Sequence, residues 1–153
     1  MPSQLSLNQL TCFALYSTSL AMTKVYKPLL AKLKLTYPQY VVMVSLDEKH
    51  PMTVSEIGAR VFLDSGTLTP LLKKLETLGL VQRLRDKRDE RLVNVSLTVK
   101  GKALNRKAAQ IPSCIAQTSG CTTNQLQDIN LQLQKLRASL HSSLQTPPRN
   151  STL

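Results

Sequence analysis

The chain has 153 residues, which suits one compact domain with a sizeable core, so neither disulfides nor metals are needed for folding. Its 20 Lys and Arg against 9 Asp and Glu give a formal charge of +11, pointing to a polyanionic partner such as nucleic acid, or to an anionic membrane surface. The N-terminal MPSQLSLNQL lacks the pattern of a secretory signal, and no stretch nears the roughly 20 apolar residues that span a bilayer, so a soluble cytoplasmic protein is expected.

Residues 6–33 place apolar or small side chains at Leu7, Leu10, Ala14, Ala21, Val25 and Leu29, close to helical spacing and with more apolar residues between. This predicts a long helix with more than one buried face. Pro28 removes a backbone donor near its end, so a kink or an early stop is expected there. YPQYVVMVSL, from Tyr37 to Leu46, opens with a proline suited to a first turn and reads as a second helix, although its valines leave a strand open.

Next, Thr53 and Glu56 have the spacing of a capping box, and Ile57 and Val61 continue an apolar face. Asp64 or Thr67 can cap a further helix whose stripe is Leu68, Leu71, Leu72, Leu75 and Leu78, with Gly79 as its stop and Pro70 in its first turns. After Gly79, residues alternate apolar and polar through Leu80, Gln82 and Leu84 and again from Leu92 to Leu97, around the charged loop DKRDER. Helix, turn, helix and hairpin in that order make a winged helix-turn-helix, mainly α with a small β-hairpin wing.

Another helix begins near Thr98 and is broken by Pro112; Gly120 and Thr122-Thr123 mark a second break. Leu126, Ile129, Leu133, Leu136, Leu140 and Leu144 then follow the 3/4 spacing of a two-helix packing seam, which requires a partner. The TPPRNSTL tail is polar and expected to fray.

A helix in a major groove needs short polar side chains near its start for base edges and cations for phosphates. Ser65, Thr67 and Thr69 offer the first, Lys73 and Lys74 the second. The wing gathers Arg83, Arg85, Lys87, Arg88 and Arg91, suited to the negative potential of a narrow minor groove. Asp86, Asp89 and Glu90 argue against a plain phosphate-coating patch and are expected to direct the arginines through charge-assisted hydrogen bonds. Either segment alone also reads as an ordinary solvated hairpin or amphipathic helix; their succession favours DNA.

The three cysteines, Cys12, Cys114 and Cys121, form no disulfide framework, and with His50 and His141 they show no zinc spacing, so no metal or cofactor is expected. Peroxide reacts with thiolate, which needs cationic or hydrogen-bonding company. No His or Arg lies within a turn of Cys12, and local sequence favours a buried structural cysteine. Tyr16, at i+4, can approach the sulfur, whereas Tyr26, fourteen residues on, lies roughly 21 Å away along a straight helix and can reach it only from an antiparallel partner.

Asp86-Lys-Arg88-Asp-Glu-Arg91 matches the D-x-R-x-x-R wing signature of the MarR family of bacterial repressors. YPQY, FLDSGTLTPLLKKLE and DERLVNVSLT resemble its organic-hydroperoxide-sensing branch, a likeness that runs from about Leu7 to Leu144. The resemblance implies a homodimer whose N- and C-terminal helices, residues 1–34 and 111–153, intertwine, with residues 35–110 as the lobe that reads a palindromic operator. It puts Cys12 at the peroxide-sensing position and Tyr16 at the same-chain hydrogen-bonding tyrosine. Tyr26 and Tyr37 would come from the other subunit, which reverses the buried reading of Cys12. In two-cysteine members an intersubunit disulfide forms with a C-terminal cysteine, for which Cys121, expected to be the more exposed, and Cys114 are both candidates.

The expected behaviour is release from DNA on oxidation by an organic hydroperoxide, because half-sites about 34 Å apart tolerate little change in the spacing of the two helices. Two other readings remain: a repressor released by noncovalent binding of a small aromatic acid, and a thiol peroxidase. The second finds no arginine or threonine in a recognisable peroxidase setting around Cys12, and the chain is not expected to be an enzyme.

Overall fold

The computed structural model describes residues 6–145; the readings of MPSQL and of the TPPRNSTL tail lie outside them. The chain divides into two compact units, Met1–Ile111 and Pro112–Leu153. In the first, a 3-10 turn at Leu7–Gln9 precedes α1 (Thr11–Ala31), α2 (Tyr37–Ser45), β1 (Met52–Thr53), α3 (Val54–Val61), α4 (Ser65–Thr77), β2 (Val81–Arg85), β3 (Val93–Leu97) and α5 (Val99–Ala108). Two helices follow, α6 (Ile111–Ser119) and α7 (Thr123–Gln145).

Capping chemistry sets most of these boundaries. Asp64, rather than Thr67, caps α4: its carboxylate accepts from the Thr67 amide at 2.9 Å. Thr53 and Glu56 close their capping box in both directions. Thr36 and Gln39 form a second box at the start of α2, where the sequence reading had invoked only Pro38; the T-x-x-Q spacing was legible. Of the kink or early stop expected at Pro28, the stop does not occur there: α1 runs on to Ala31. Pro28 is exposed and in the last turn, so the lost donor affects one bond near the end, while buried Leu30 anchors the helix beyond it.

The chain then turns through a Schellman-type closure, with the Leu35 amide on the Leu30 carbonyl at 3.1 Å. The left-handed position of this turn is held by Lys34, at φ 56°, where a side chain costs roughly 1–2 kcal/mol relative to glycine.

The core is the lobe formed by α2, α3, α4 and a three-stranded antiparallel sheet ordered β1-β3-β2. Val42, Met43, Ile57, Leu68, Leu72, Leu75 and Val95 are wholly buried, so the leucine stripe of α4 packs as its periodicity requires. β2 and β3 pair in the register Val81↔Leu97 through Arg85↔Val93. The two-residue β1, joined to β3 at Met52↔Val95 and Thr53↔Asn94, is too short to leave a periodic signal. Outside this lobe burial falls away. Of 21 residues in α1 only Leu30 is buried, and α7 buries none; Ile129 is 47% and Leu140 54% exposed.

Behind the wing, the Thr98 side chain donates to the Gly79 carbonyl at 2.7 Å and accepts from the Gly101 amide at 3.0 Å, joining the end of α4 to the start of α5. Gly79 takes the left-handed conformation (φ 71°) that ends α4. Gly101 lies so close to the strand entry that an added Cβ would run into the Leu80 carbonyl oxygen. Because that obstacle is backbone, Gly101→Ala is expected to destabilise the protein by about 3 kcal/mol or more, read as a lowered urea midpoint; an unchanged midpoint would contradict this packing.

Candidate nucleic-acid interface and thiol centre

With Leu68, Leu72 and Leu75 inward, α4 turns Ser65, Thr67, Lys73 and Lys74 to solvent, while Thr69 is half-buried at the edge of that face. Thr67 has a second task, since its hydroxyl donates to Asp64 at 2.9 Å, leaving only acceptor capacity for a partner. Gly66, Pro70 and Thr77 share the exposed face and were not singled out from sequence, because none carries charge. Small or cyclic side chains there let the helix approach a surface closely.

The wing is organised differently from expectation. Asp86 accepts from the Arg88 amide at 2.8 Å, the Asp89 amide at 3.3 Å and the Asn94 side chain at 2.9 Å; Asp89 accepts from the Arg91 amide at 3.0 Å. The two carboxylates therefore order the backbone of the loop rather than directing guanidinium groups, since a hairpin tip leaves nearby amides without ladder partners. Arg85, Arg88 and Arg91 project from that loop fully exposed.

Arg83 leaves the basic cluster: its guanidinium meets Glu76 at 2.7 and 2.9 Å, and its amide donates to the same carboxylate at 3.2 Å. These bonds from Arg83 hold the Glu76 carboxyl below its ordinary range, the side-chain bond being the largest cause. They tie α4 to β2, joining the helix to the hairpin beside it.

The residues of the candidate thiol centre lie in separate places among the described residues. Cys12, the second residue of α1, is exposed, contrary to the buried reading of its local sequence. Tyr16 stands one turn further along and is 63% exposed, with no hydrogen bond to the sulfur among the described residues. Tyr26 and Tyr37, eleven positions apart in the chain, are brought edge to face with ring centres 5.0 Å apart. Tyr40, which the sequence reading left aside, completes the group at 5.8 Å from Tyr26 and 6.3 Å from Tyr37. Burial, then Tyr40 and Tyr37, push the Tyr26 phenol up to about 12, and burial with Tyr37 raises Tyr40. Tyr26 and Tyr40 thus keep their protons and can act as hydrogen-bond donors throughout the physiological range.

Cys114 in α6 and Cys121 beyond Gly120 are both half-buried, so exposure does not separate them, against the expectation that Cys121 would be the more open. The Cys121 thiol lies 3.8 Å from the Ser119 carbonyl oxygen. Among the described residues no group of His, Cys, Asp and Glu is gathered for a metal, and no helix is long and apolar enough to cross a membrane.

Residues 24–107 match the family model described as transcriptional regulator SarA/Rot. The organic hydroperoxide resistance transcriptional regulator of Bacillus subtilis is 47% identical over 134 residues, covering 88% of this chain and 90% of the relative. Among solved structures, AbfR of Staphylococcus epidermidis is 34% identical (TM-score 0.71, 86% of this chain and 90% of that one). Reduced AbfR bound to DNA gives 31% identity and TM-score 0.69 over 84% of this chain and 90% of that one, and disulfide-formed AbfR 30% and 0.62 over 88% and 90%. Apo MarR of E. coli is 25% identical (TM-score 0.68, 83% and 96%).

Two titrations follow from the site. The Arg88 amide, then Asn94 and the Asp89 amide, lower the Asp86 carboxyl below its ordinary range. Wing order from this group is therefore present above the ordinary carboxylate range and lost as pH falls below it. Amide signals of Arg88 and Asp89 should shift together on acidification in wild type and not in Asp86→Asn; equal behaviour of the two proteins would count against the assignment. The raised Tyr26 phenol has the opposite sign: its stabilisation is full below the ordinary value of 10.0 and is lost as pH rises through about 12. Absorbance at 295 nm should show a late tyrosine step that Tyr26→Phe removes.

Proposed function

The chain belongs to the MarR family of transcriptional regulators, in its SarA/Rot-like group, and we propose that it is a redox-controlled repressor that binds palindromic operator DNA as a reduced homodimer. The observation that carries this reading is the exposed Cys12 at the start of α1, incomplete in its own chain, together with a separate cluster of protonated tyrosines. In an antiparallel dimer, Tyr26 and Tyr37 of one subunit serve the Cys12 of the other, while Tyr16 approaches from the same helix. The exposed apolar residues of α1 and α7, residues 1–34 and 111–153, supply the dimerisation region, and residues 35–110 the reading lobe.

The signal is an organic hydroperoxide. The Cys12 thiolate attacks the outer peroxide oxygen, the O–O bond breaks, and the alkoxide leaves as the alcohol after taking up a proton, so Cys12 becomes a sulfenic acid and the peroxide is reduced. The thiolate of Cys121 or Cys114 in the other subunit then attacks the sulfenic sulfur, forming the S–S bond and breaking the S–O bond, and the hydroxide leaves as water after taking up a proton. The covalent link displaces the dimerisation helices and with them the two α4 helices, whose spacing must match half-sites one helical turn apart. The Bacillus relative's name and the solved AbfR states, reduced on DNA and disulfide-formed, support this reading, and a site of action in the cytoplasm follows from it.

A second reading rests on a mostly apolar cavity of about 390 Å³ lined by Lys27, Leu30, Leu35, Thr36, Tyr37 and Pro38 among others. A small aromatic acid seated there, with Lys27 facing its carboxylate, would release DNA without touching Cys12.

Cys12→Ser should bind operator DNA as wild type does in a fluorescence-anisotropy titration, yet stay bound when cumene hydroperoxide is added. Peroxide-driven release of Cys12→Ser would refute the redox reading. On non-reducing gels after peroxide, the crosslinked dimer should vanish in either Cys114→Ser or Cys121→Ser, which names the second cysteine.

A further inference from the structure

Away from both sites, between the C-terminal end of α1 and α5, lies a cleft of about 260 Å³. Lys32, Lys34, Lys100 and Lys107 rim it above Leu33 and Leu104, and it adjoins a hollow of about 90 Å³ that Leu78 and Leu80 extend. The ion pairs of Asp47 with His50, Glu76 with Arg83 and Glu48 with Arg106 lie elsewhere, and among the described residues no carboxylate pairs with these four lysines. Four lysines line one small cleft, a concentration of positive charge that suits an anion.

Two further features are independent of the charge count. Lys34 occupies a left-handed backbone position at the end of α1 where glycine is favoured, so a strained residue is held at the rim with its charge. The Lys100 ammonium donates to the Leu78 carbonyl at 2.7 Å, which connects the cleft to the C-terminal end of α4. The walls hold no aromatic ring, side-chain amide or hydroxyl with which to read a base or a sugar. Recognition there rests on charge at the rim and apolar contact below.

We propose that this cleft is a binding site for a phosphate monoester carrying a short hydrocarbon chain. Its phosphate, close to doubly charged at neutral pH, sits among the lysines, which bind phosphate as point charges, and its chain lies over Leu33, Leu78, Leu80 and Leu104. A carboxylate would neutralise less of the rim, and a bare phosphate would leave the leucines uncovered. When the phosphate draws on Lys100, the Leu78 carbonyl loses its donor, so occupancy loosens the end of the reading helix and lowers operator affinity. Binding is independent of the redox reading; only the effect on DNA rests on the proposed repressor function.

The test is calorimetry on the full-length reduced protein with hexyl phosphate, hexanoate, inorganic phosphate and phosphatidate-containing vesicles. Hexyl phosphate should bind more than about tenfold tighter than inorganic phosphate, since each buried methylene contributes about 0.8 kcal/mol, and tighter than hexanoate. Lys107→Gln should weaken it several-fold. Lys34→Gly should do the same while folding at least as stably, because glycine relieves the backbone; this separates binding from structure. Equal binding of inorganic phosphate, undiminished binding in both variants, or capture by vesicles with none of monomeric hexyl phosphate would each overturn the proposal.

In the DNA arm, hexyl phosphate should weaken operator binding of Cys12→Ser as much as that of wild type. If Lys34→Gly and Lys107→Gln instead weaken operator binding with no phosphate ester present, the lysines serve the DNA backbone and the proposal fails. Hexyl phosphate binding in a protein indifferent to peroxide would overturn the redox reading alone.

Discussion

The contact between Glu76 and Arg83 joins α4 to the hairpin, and the candidate nucleic-acid interface depends on it. One carboxylate receives the side chain and the backbone amide of the same arginine, so the last turn of α4 and the first half of β2 cannot pivot independently. Around this joint the other restraints fall into place. Thr98 binds the carbonyls at the end of α4, Lys100 takes the Leu78 carbonyl, and the absent Cβ of Gly101 lets α5 close against Leu80. The helix that would enter a groove and the hairpin beside it thus share one frame, and DNA-binding proteins of this type depend on such a fixed relation between elements.

A contrast in burial separates the lobe from the helices that flank it. The lobe buries its leucines completely; α1 and α7 leave theirs largely in solvent, with Leu15, Leu20, Ile129, Leu133 and Leu140 all exposed. Regularly spaced leucines that a helix does not bury in its own chain amount to a request for a second chain. The candidate thiol centre makes the same request: among the described residues Cys12 receives no hydrogen bond, while three tyrosines pack together elsewhere with protonated hydroxyls at Tyr26 and Tyr40. Under the proposed repressor function, dimerisation answers both requests together, and for that reason sensing and DNA geometry would be coupled.

Much of the lobe was legible in advance because its boundaries are made by residues close in sequence. Thr53 with Glu56, Asp64 before α4 and Gly79 after it are local chemistry, and Val95 and Leu97 of β3 are buried as its alternation requires, whereas in β2 apolar Leu84 is exposed. The wing acids were harder to read. Charge alone suggested that Asp86 and Asp89 would face arginines, but the amides of a tight loop lie nearer, and an amide without a ladder partner binds a carboxylate readily. Arg83 was miscast as part of the basic wing because its partner, Glu76, lies across a strand entry that no spacing rule describes.

The sequence by itself determined the helix, turn, helix and hairpin order of the lobe, the inward leucine stripe of α4, the basic character of the wing and the family likeness, since each depends on short-range pattern or on composition. Only the tertiary structure decided that Arg83 belongs to Glu76, that Tyr40 joins Tyr26 and Tyr37, that Cys12 is exposed, and that lysines from the turn after α1 and from α5 line one cleft with Leu33 and Leu104. Those facts turn on where distant segments come to rest. A side chain's neighbours across the fold are set by packing of the whole core, which no local pattern encodes.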